Sequence, residues 1–388
     1  DIDDAIKMIR GAKGTEVRLT VKKIDGNEQE IPIVRDVVLL EETYARSLIL
    51  QADKGKKIGY IQLPKFYTNF NSRDGRRCAT DVRKEITKLK SQNVKGLIID
   101  LRDNGGGSLN DVVEMSGLFI DKGPIVQVKS RQRDPDILPD TDAGVHYDGP
   151  LIIMVNSLSA SASEIMAAAI QDYGRGIIIG SKSTFGKGTV QRFLNLDQLY
   201  RGPDDVKPLG EVKLTTQKFY RINGGATQLK GVVPDIVLPD EYSRLDLGEK
   251  DREFSMAWDE IDPVAYEKWD ANYNISKLRA ASEARVAENP TFQLILENAE
   301  RLKRRQDQRD YQLNLEEFRT ETDQLSEESK KYEDLEKEIE ALKIESLSAD
   351  IDYIEADDSR KERREKWLKQ IQSDPYVYEA LLVMKDMK

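Results

Sequence analysis

Between Ile58 and about Asp240, short apolar, β-rich runs alternate with segments of helical spacing. A chain that switches repeatedly from a period of two to a period of 3.6 must stack helices on a sheet, the layered arrangement of α/β domains. The run opens at Ile58-Gly-Tyr-Ile-Gln-Leu63, and its clearest predicted strands are Lys95–Leu101, Pro150–Val155, Gly176–Gly180 and Val212–Arg221. Helices are predicted between them over Thr80–Ser91, Asn110–Phe119 and Ala162–Tyr173.

The flanks follow other patterns. Asp3–Ile9 reads as a short amphipathic helix closed by Gly11 and Gly14, after which Val17–Val21 alternates as a strand. Beyond Arg244 the chain turns to long polar helices, with heptad-like spacing in Phe292–Arg309 and Tyr332–Ile344, and glycine nearly vanishes after Gly248. At roughly 100–200 residues per domain, 388 residues make more than one unit. The expected division is residues 1–40, an α/β core over 41–244, and a separate helical domain over 245–388 that includes a hairpin or coiled coil. That last part reads as solvated helices with charge pairs and no chemistry.

Composition excludes several functions. A net charge of −10 repels the phosphate backbone that dominates nucleic-acid affinity, so no nucleic-acid partner is expected. The longest apolar stretches, such as Leu151–Val155, fall far short of the ~20 residues that span a bilayer, and no transmembrane helix is expected. Cys78 is the single cysteine; it permits no intrachain disulfide and reads as a structural thiol. One histidine and one cysteine leave only carboxylates for a metal, and no loop has calcium-binding spacing, so no metal is expected. The sequence opens at Asp1 without a charged-then-apolar leader; a signal peptide, if the gene encodes one, is expected to be already missing.

Three segments carry chemistry. Gly96-Leu-Ile-Ile-Asp-Leu-Arg-Asp-Asn-Gly-Gly-Gly107 is a buried-looking strand running into consecutive glycines, whose amides can turn outward toward a developing oxyanion. Asn156-Ser-Leu-Ser-Ala-Ser-Ala-Ser-Glu-Ile165 joins a hydrophobic strand to a helix, and a serine there sits beside free helix N-terminal amides. Ser161-x-x-Glu164 also fits a capping box, whose only task is to satisfy those amides. Thr184-Phe-Gly-Lys-Gly-Thr-Val-Gln191 holds a lysine between glycines. A lone loop lysine is ordinarily solvated surface, but a desolvated one can act as a general base toward serine. Lys187, with no adjacent carboxylate in sequence, and the single histidine, His146, both stand as candidate bases.

The strings GLIIDLRDNGGGSL, SASASEIMAAAIQDYGRGIIIG, STFGKGTVQ and KFYRINGGATQLKGVVPDI, in that order, resemble those of the C-terminal processing peptidases, over about Tyr44 to Asp240. The stretch from Leu245-Asp-Leu-Gly-Glu through Ala257-Trp-Asp is similar to the C-terminal domain of the tail-specific, periplasmic bacterial branch, and the N-terminal helix, glycine turn and strand look like the last part of a PDZ domain. The resemblance implies an α/β, crotonase/Clp-like protease core and a serine endopeptidase acting on polypeptides with accessible, apolar C-termini. It implies no cofactor, and an adaptor protein as a further partner. Carried over by motif, it implies Ser161 as nucleophile, Lys187 as base, Gln191 as its support and Asp172 as a residue that maintains the site. Oxyanion donors would be the Ala162 amide and an amide of the glycine run, Gly107 ahead of Gly106. The linker Ser181–Phe185 is one residue longer than the family pattern, which leaves Ser159 and Ser163 as alternative nucleophiles. A phosphate-binding loop at Gly180–Lys187 fits poorly, since Gly188 stands where the magnesium-binding hydroxyl belongs. An inactive peptide-binding scaffold of the same fold and an acyl-thioester enzyme complete the alternatives.

Overall fold

Gly14 adopts a φ of +84°, which turns the chain from α1 (Ile2–Ile9) into β1 (Glu16–Lys22). β1 pairs antiparallel with β2 (Glu28–Val34), a partner strand that the sequence reading lacks. Arg35 closes this small unit by donating from Nε to the Ile9 carbonyl at 2.7 Å and from Nη2 to the Met8 carbonyl at 3.0 Å. The computed structural model of the chain describes residues 2–23, 26–36, 41–51, 56–69 and 75–387. It divides into two units, Asp1–Thr43 and Tyr44–Lys388. Residues 37–40, where the first boundary is expected, lie outside the described residues.

The larger unit is organised by strands with no polar face, which are stable only where a sheet is covered on both sides. β3 (Arg46–Gln51), β4 (Lys57–Gln62), β5 (Leu97–Asp100), β8 (Leu151–Val155), β9 (Ile177–Gly180), β12 (Ile236–Val237) and β13 (Lys343–Glu345) form one sheet in the order β12-β9-β8-β5-β4-β3-β13. Pairing is parallel from β12 to β4 and antiparallel at β3 and β13. A second sheet, in the order β10-β11-β6-β7, comprises β6 (Gly123–Lys129), β7 (Asp136–Asp140), β10 (Thr189–Asn195) and β11 (Glu211–Tyr220).

Side chains alternate between two cores. Leu97, Ile99, Leu151, Ile153, Val155 and Ile178 pack with α2 (Cys78–Ser91), α3 (Leu109–Gly117) and α4 (Ala162–Tyr173). Ile98, Ile152, Met154, Ile177 and Ile179 enter the other core. That face is covered from beyond residue 245, by α6 (Ile275–Glu288), α7 (Pro290–Asp307), α10 (Asp358–Gln372) and α11 (Pro375–Asp386). In α11, Val377, Ala380, Leu381, Val383 and Met384 are all buried; each of the larger ones contributes about 1.5–3 kcal/mol relative to exposure. The short α5 (Leu196–Leu199) follows β10, while α8 (Leu315–Lys330) and α9 (Ser348–Glu355) complete the helices.

Two helical expectations change. Phe292–Arg309 falls on α7, but Phe292 and Ile295 of its apolar stripe pack toward the sheet rather than a coiled-coil partner. Tyr332–Ile344 is no heptad helix: a 3-10 turn at Lys331–Glu336 leads to β13, where Ile344 pairs with Leu50 on the sheet edge. No helix among the described residues is long and apolar enough to cross a membrane.

Candidate active site

The glycine loop leaves β5 in a conformation that ordinary residues resist. Asp103, Gly106 and Gly107 have φ values of +61°, +98° and +149°. Asn104, fully buried, holds the loop: its Nδ2 donates to the Leu63 carbonyl at 2.7 Å and its Oδ1 accepts the Gly106 N–H at 2.9 Å. A Cβ at Gly106 would lie 2.8 Å from Ser161 Cβ and 3.0 Å from the Ala162 nitrogen, and one at Gly107 would lie 2.0 Å from the Phe66 carbonyl oxygen. Glycine is therefore required for the loop to touch the start of α4. Among the described residues the N–H groups of Gly107 and Ala162 donate to no protein acceptor, whereas that of Gly106 is committed to Asn104. Gly106 thus serves by its missing side chain and not by its amide.

Ser161 stands immediately before α4 with φ 59° and ψ −111°, a strained conformation that persists only where the surroundings impose it. It is half-buried. The two neighbouring serines are fully buried and engaged: Ser159 Oγ donates to the Leu101 carbonyl at 2.8 Å, and Ser163 Oγ to the Asn104 carbonyl at 2.7 Å. A shift of register to either would place a nucleophile inside the core.

The Ser161-x-x-Glu164 motif does more than cap a helix. Glu164 is fully buried, and its carboxylate accepts the Ser161 N–H at 2.7 Å, the Lys187 N–H at 2.9 Å, the Gly186 N–H at 2.7 Å and the Thr184 hydroxyl at 2.6 Å. One side chain so fastens the serine junction to the lysine loop. Burial pushes Glu164 up to about 7, against the pull of these four donors. Lys187 is half-buried; desolvation lowers its pKa, with Lys213 and Arg252 adding to the effect and Glu249 and Glu164 opposing it. Adjacent carboxylates, absent in sequence, are thus supplied by the fold. Lys187 Nζ donates to Gln191 Oε1 at 3.1 Å, and Gln191 Nε2 reaches Thr215 Oγ1 at 3.5 Å across the β10–β11 pair.

Asp172 is not brought to this cluster. It lies near the far end of α4, roughly 16 Å along the helix from Ser161. There it accepts from Arg221 Nη2 at 2.6 Å, Arg221 Nε at 3.0 Å and Asn223 Nδ2 at 2.9 Å, joining α4 to the turn after β11. His146 is also elsewhere: its Nε2 lies 3.2 Å from Thr87 Oγ1 and 3.3 Å from the Arg83 carbonyl on α2. Gly180–Lys187 leads from β9 into β10 with no helix following, which removes the phosphate-loop reading. Sequence reasoning passed over Asn104 and Arg221 and left Glu164 as a cap. Only Glu164 carried a local signal, in its spacing from Ser161.

Residues 57–238 match the model of peptidase family S41, and residues 242–388 match that of the C-terminal domain of tail specific protease. The tail-specific protease of Haemophilus influenzae is 41% identical over 83% of this chain and 45% of its own length. Residues 57–238 of the chain belong to peptidase family S41. The carboxy-terminal-processing protease of Bartonella bacilliformis is 34% identical, over 64% of this chain and 54% of its own. Among solved structures, the photosystem II D1 C-terminal processing protease is 27% identical over 59% of this chain and 56% of its own, with a TM-score of 0.42. The chain spans about half the length of the curated relatives it matches. Ser161, Lys187, Gln191, Asp172 and the glycine loop all fall within the span matched to the S41 model.

Proposed function

We propose that this chain is the catalytic part of a serine endopeptidase that cuts polypeptides by a Ser161/Lys187 mechanism. The observation that carries the reading is the Glu164 carboxylate, bonded at once to the backbone of Ser161, Gly186 and Lys187. A scaffold has no use for a strained serine, two unengaged amides and a desolvated lysine assembled on one buried group.

Neutral Lys187 takes the Ser161 hydroxyl proton as Oγ attacks the scissile carbonyl. The oxyanion forms against the N–H groups of Gly107 and Ala162, at the positive end of α4. The Lys187 ammonium then protonates the leaving amine, and a water deprotonated by the same lysine hydrolyses the ester. Gln191 holds the lysine in place between steps. Asp172 acts indirectly, by fixing α4 against β11 through Arg221.

Substrates are polypeptides with accessible, apolar C-termini, entering as extended chains. Residues 1–40 are the last part of a PDZ domain, a module that captures terminal carboxylates by strand addition; residues 41–244 are the protease core and residues 245–388 its helical C-terminal domain. The periplasm is the compartment, and an adaptor is a further partner. The motif resemblance and the family match support this wider reading. The test is turnover of an unfolded polypeptide, followed by mass spectrometry of the products. The parent cuts and the Ser161→Ala and Lys187→Ala variants do not; equal cleavage by all three refutes the mechanism.

A further inference from the structure

The glycine loop begins at Arg102, whose guanidinium is shared by two carboxylates. Nη2 donates to Asp100 Oδ2 at 2.6 Å and to Asp374 Oδ2 at 2.7 Å, Nη1 to Asp374 Oδ1 at 3.3 Å, and Nε to Asp100 Oδ1 at 3.0 Å. Asp100, at the end of β5, is buried and also accepts the Tyr60 hydroxyl at 2.6 Å. Asp374 caps α11, its Oδ1 accepting the N–H groups of Tyr376 at 2.9 Å and Val377 at 3.0 Å. A charge-assisted, forked pair of this kind fixes orientation as well as distance. It joins the loop to a helix 272 residues away in sequence.

Packing alone does not hold this end of the loop. Behind it lies a cavity of about 120 Å³, bordered by Arg102, Asp103, Asn156, Asp240 and Tyr376. Without Asp374 the arginine keeps Asp100 as its one carboxylate partner, and the cavity gives it and the loop room to shift. The next residue along, Asp103, is tied to Asn156 by two hydrogen bonds, the Asp103 N–H to Asn156 Oδ1 at 2.9 Å and Asn156 Nδ2 to Asp103 Oδ1 at 2.8 Å.

We infer that Arg102 and Asp374 are positioning residues for the reaction, and that the C-terminal helices take part in catalysis by setting the glycine loop through this clamp. The inference rests on the Ser161/Lys187 reading, because that reading gives the Gly107 amide its task. Loop displacements well under an ångström matter little to substrate capture but strongly to stabilisation of a transition state.

The experiment compares two variants of α11 in the full chain. Asp374→Asn removes one of the two charges that hold Arg102, the one that caps the C-terminal helix, and leaves Asp100 in place. Glu379→Gln breaks the 2.7 Å pair between Arg285 and the buried Glu379, which ties α11 to α6; among the described residues no hydrogen bond or ion pair joins either of them to the loop. Both are expected to lower the melting temperature. Only Asp374→Asn should lower kcat, by about tenfold with KM changed by less than about twofold, as loss of an interaction made in the transition state does. Hydrogen exchange should quicken across residues 101–108 in Asp374→Asn and not in Glu379→Gln. Should Asp374→Asn fail to fold, Arg102→Lys, which keeps one charged contact, is measured by the same criteria. Equal kcat in the two variants, or unchanged exchange in the loop, overturns the clamp. A parent that turns over no peptide refutes the peptidase reading instead, and the exchange comparison still decides the coupling.

Discussion

Replacing Glu164 tests how one buried carboxylate organises the site. In the parent, one oxygen serves Ser161 and Lys187 and the other serves Thr184 and Gly186. Glutamine keeps the shape but offers a single acceptor oxygen. Turned toward Ser161 and Lys187, it presents its NH₂ to Thr184, whose hydroxyl can rotate to accept, and to Gly186, whose N–H is left without a partner. One orphaned buried donor costs about 1–3 kcal/mol. Alanine orphans three backbone N–H groups, about 3–6 kcal/mol once water entering the vacated space recovers part, a large share of a typical domain's ~5–15 kcal/mol. The pH dependence has a definite sign. With a folded-state value of about 7 against an ordinary 4.5, the native state holds a proton that the unfolded chain has released. This contribution is complete below pH 4.5 and is lost as pH rises to about 7, by about 3 kcal/mol. Glutamine has no such slope, so the gap between parent and Glu164→Gln should widen from pH 8 toward pH 5. Urea unfolding at several pH values, read beside peptide turnover, measures both effects. A gap that narrows toward acid, or an alanine variant within about 1 kcal/mol of the parent, refutes the account of Glu164 as the buried tie.

Ser161→Ala should abolish peptide turnover, while Ser159→Ala and Ser163→Ala should keep it and lose about 1 kcal/mol of stability each for their buried hydrogen bonds; activity lost only in the Ser163 variant places the nucleophile wrongly. Because desolvation lowers Lys187, kcat/KM should rise with pH and level off below the ordinary lysine range of about 10.4. Lys187→Arg should be inert, since a guanidinium does not deprotonate there, and a pH profile that shifts in His146→Ala instead would identify a different base. Asp172→Asn should weaken the forked contact with Arg221 and lower kcat by about tenfold with little change in KM; an unchanged kcat shows that the α4 to β11 contact does not reach the site.

Much of the fold was legible because burial writes a period into a strand or helix. The α4 span of Ala162–Tyr173 agrees with its prediction at both ends, and β5, β8, β9 and β11 differ from theirs by a residue or two. Candidate chemistry was legible for a related reason: glycines at positive φ and a serine at a strand-to-helix junction are local requirements, and local requirements leave local marks. Glu164 left such a mark in its spacing from Ser161, but the same spacing describes an ordinary cap, and nothing in sequence says that the carboxylate also reaches Lys187.

Periodicity reports that a face is covered and is silent about what covers it. The apolar residues of Tyr332–Ile344 fitted a heptad, yet Ile344 pairs at a sheet edge. Phe292 and Ile295 fitted a coiled coil, yet they cover the second face of the same sheet. By itself the amino-acid sequence determined the α/β core, the serine at the α4 junction, and the glycine loop. Only the tertiary structure decided that Ser161 and Lys187 share one carboxylate, that Asp172 stands apart from them, and that Arg102 meets Asp374. Each of those contacts joins residues distant in the chain, and their geometry is set by how the layers pack rather than by any local preference of the backbone.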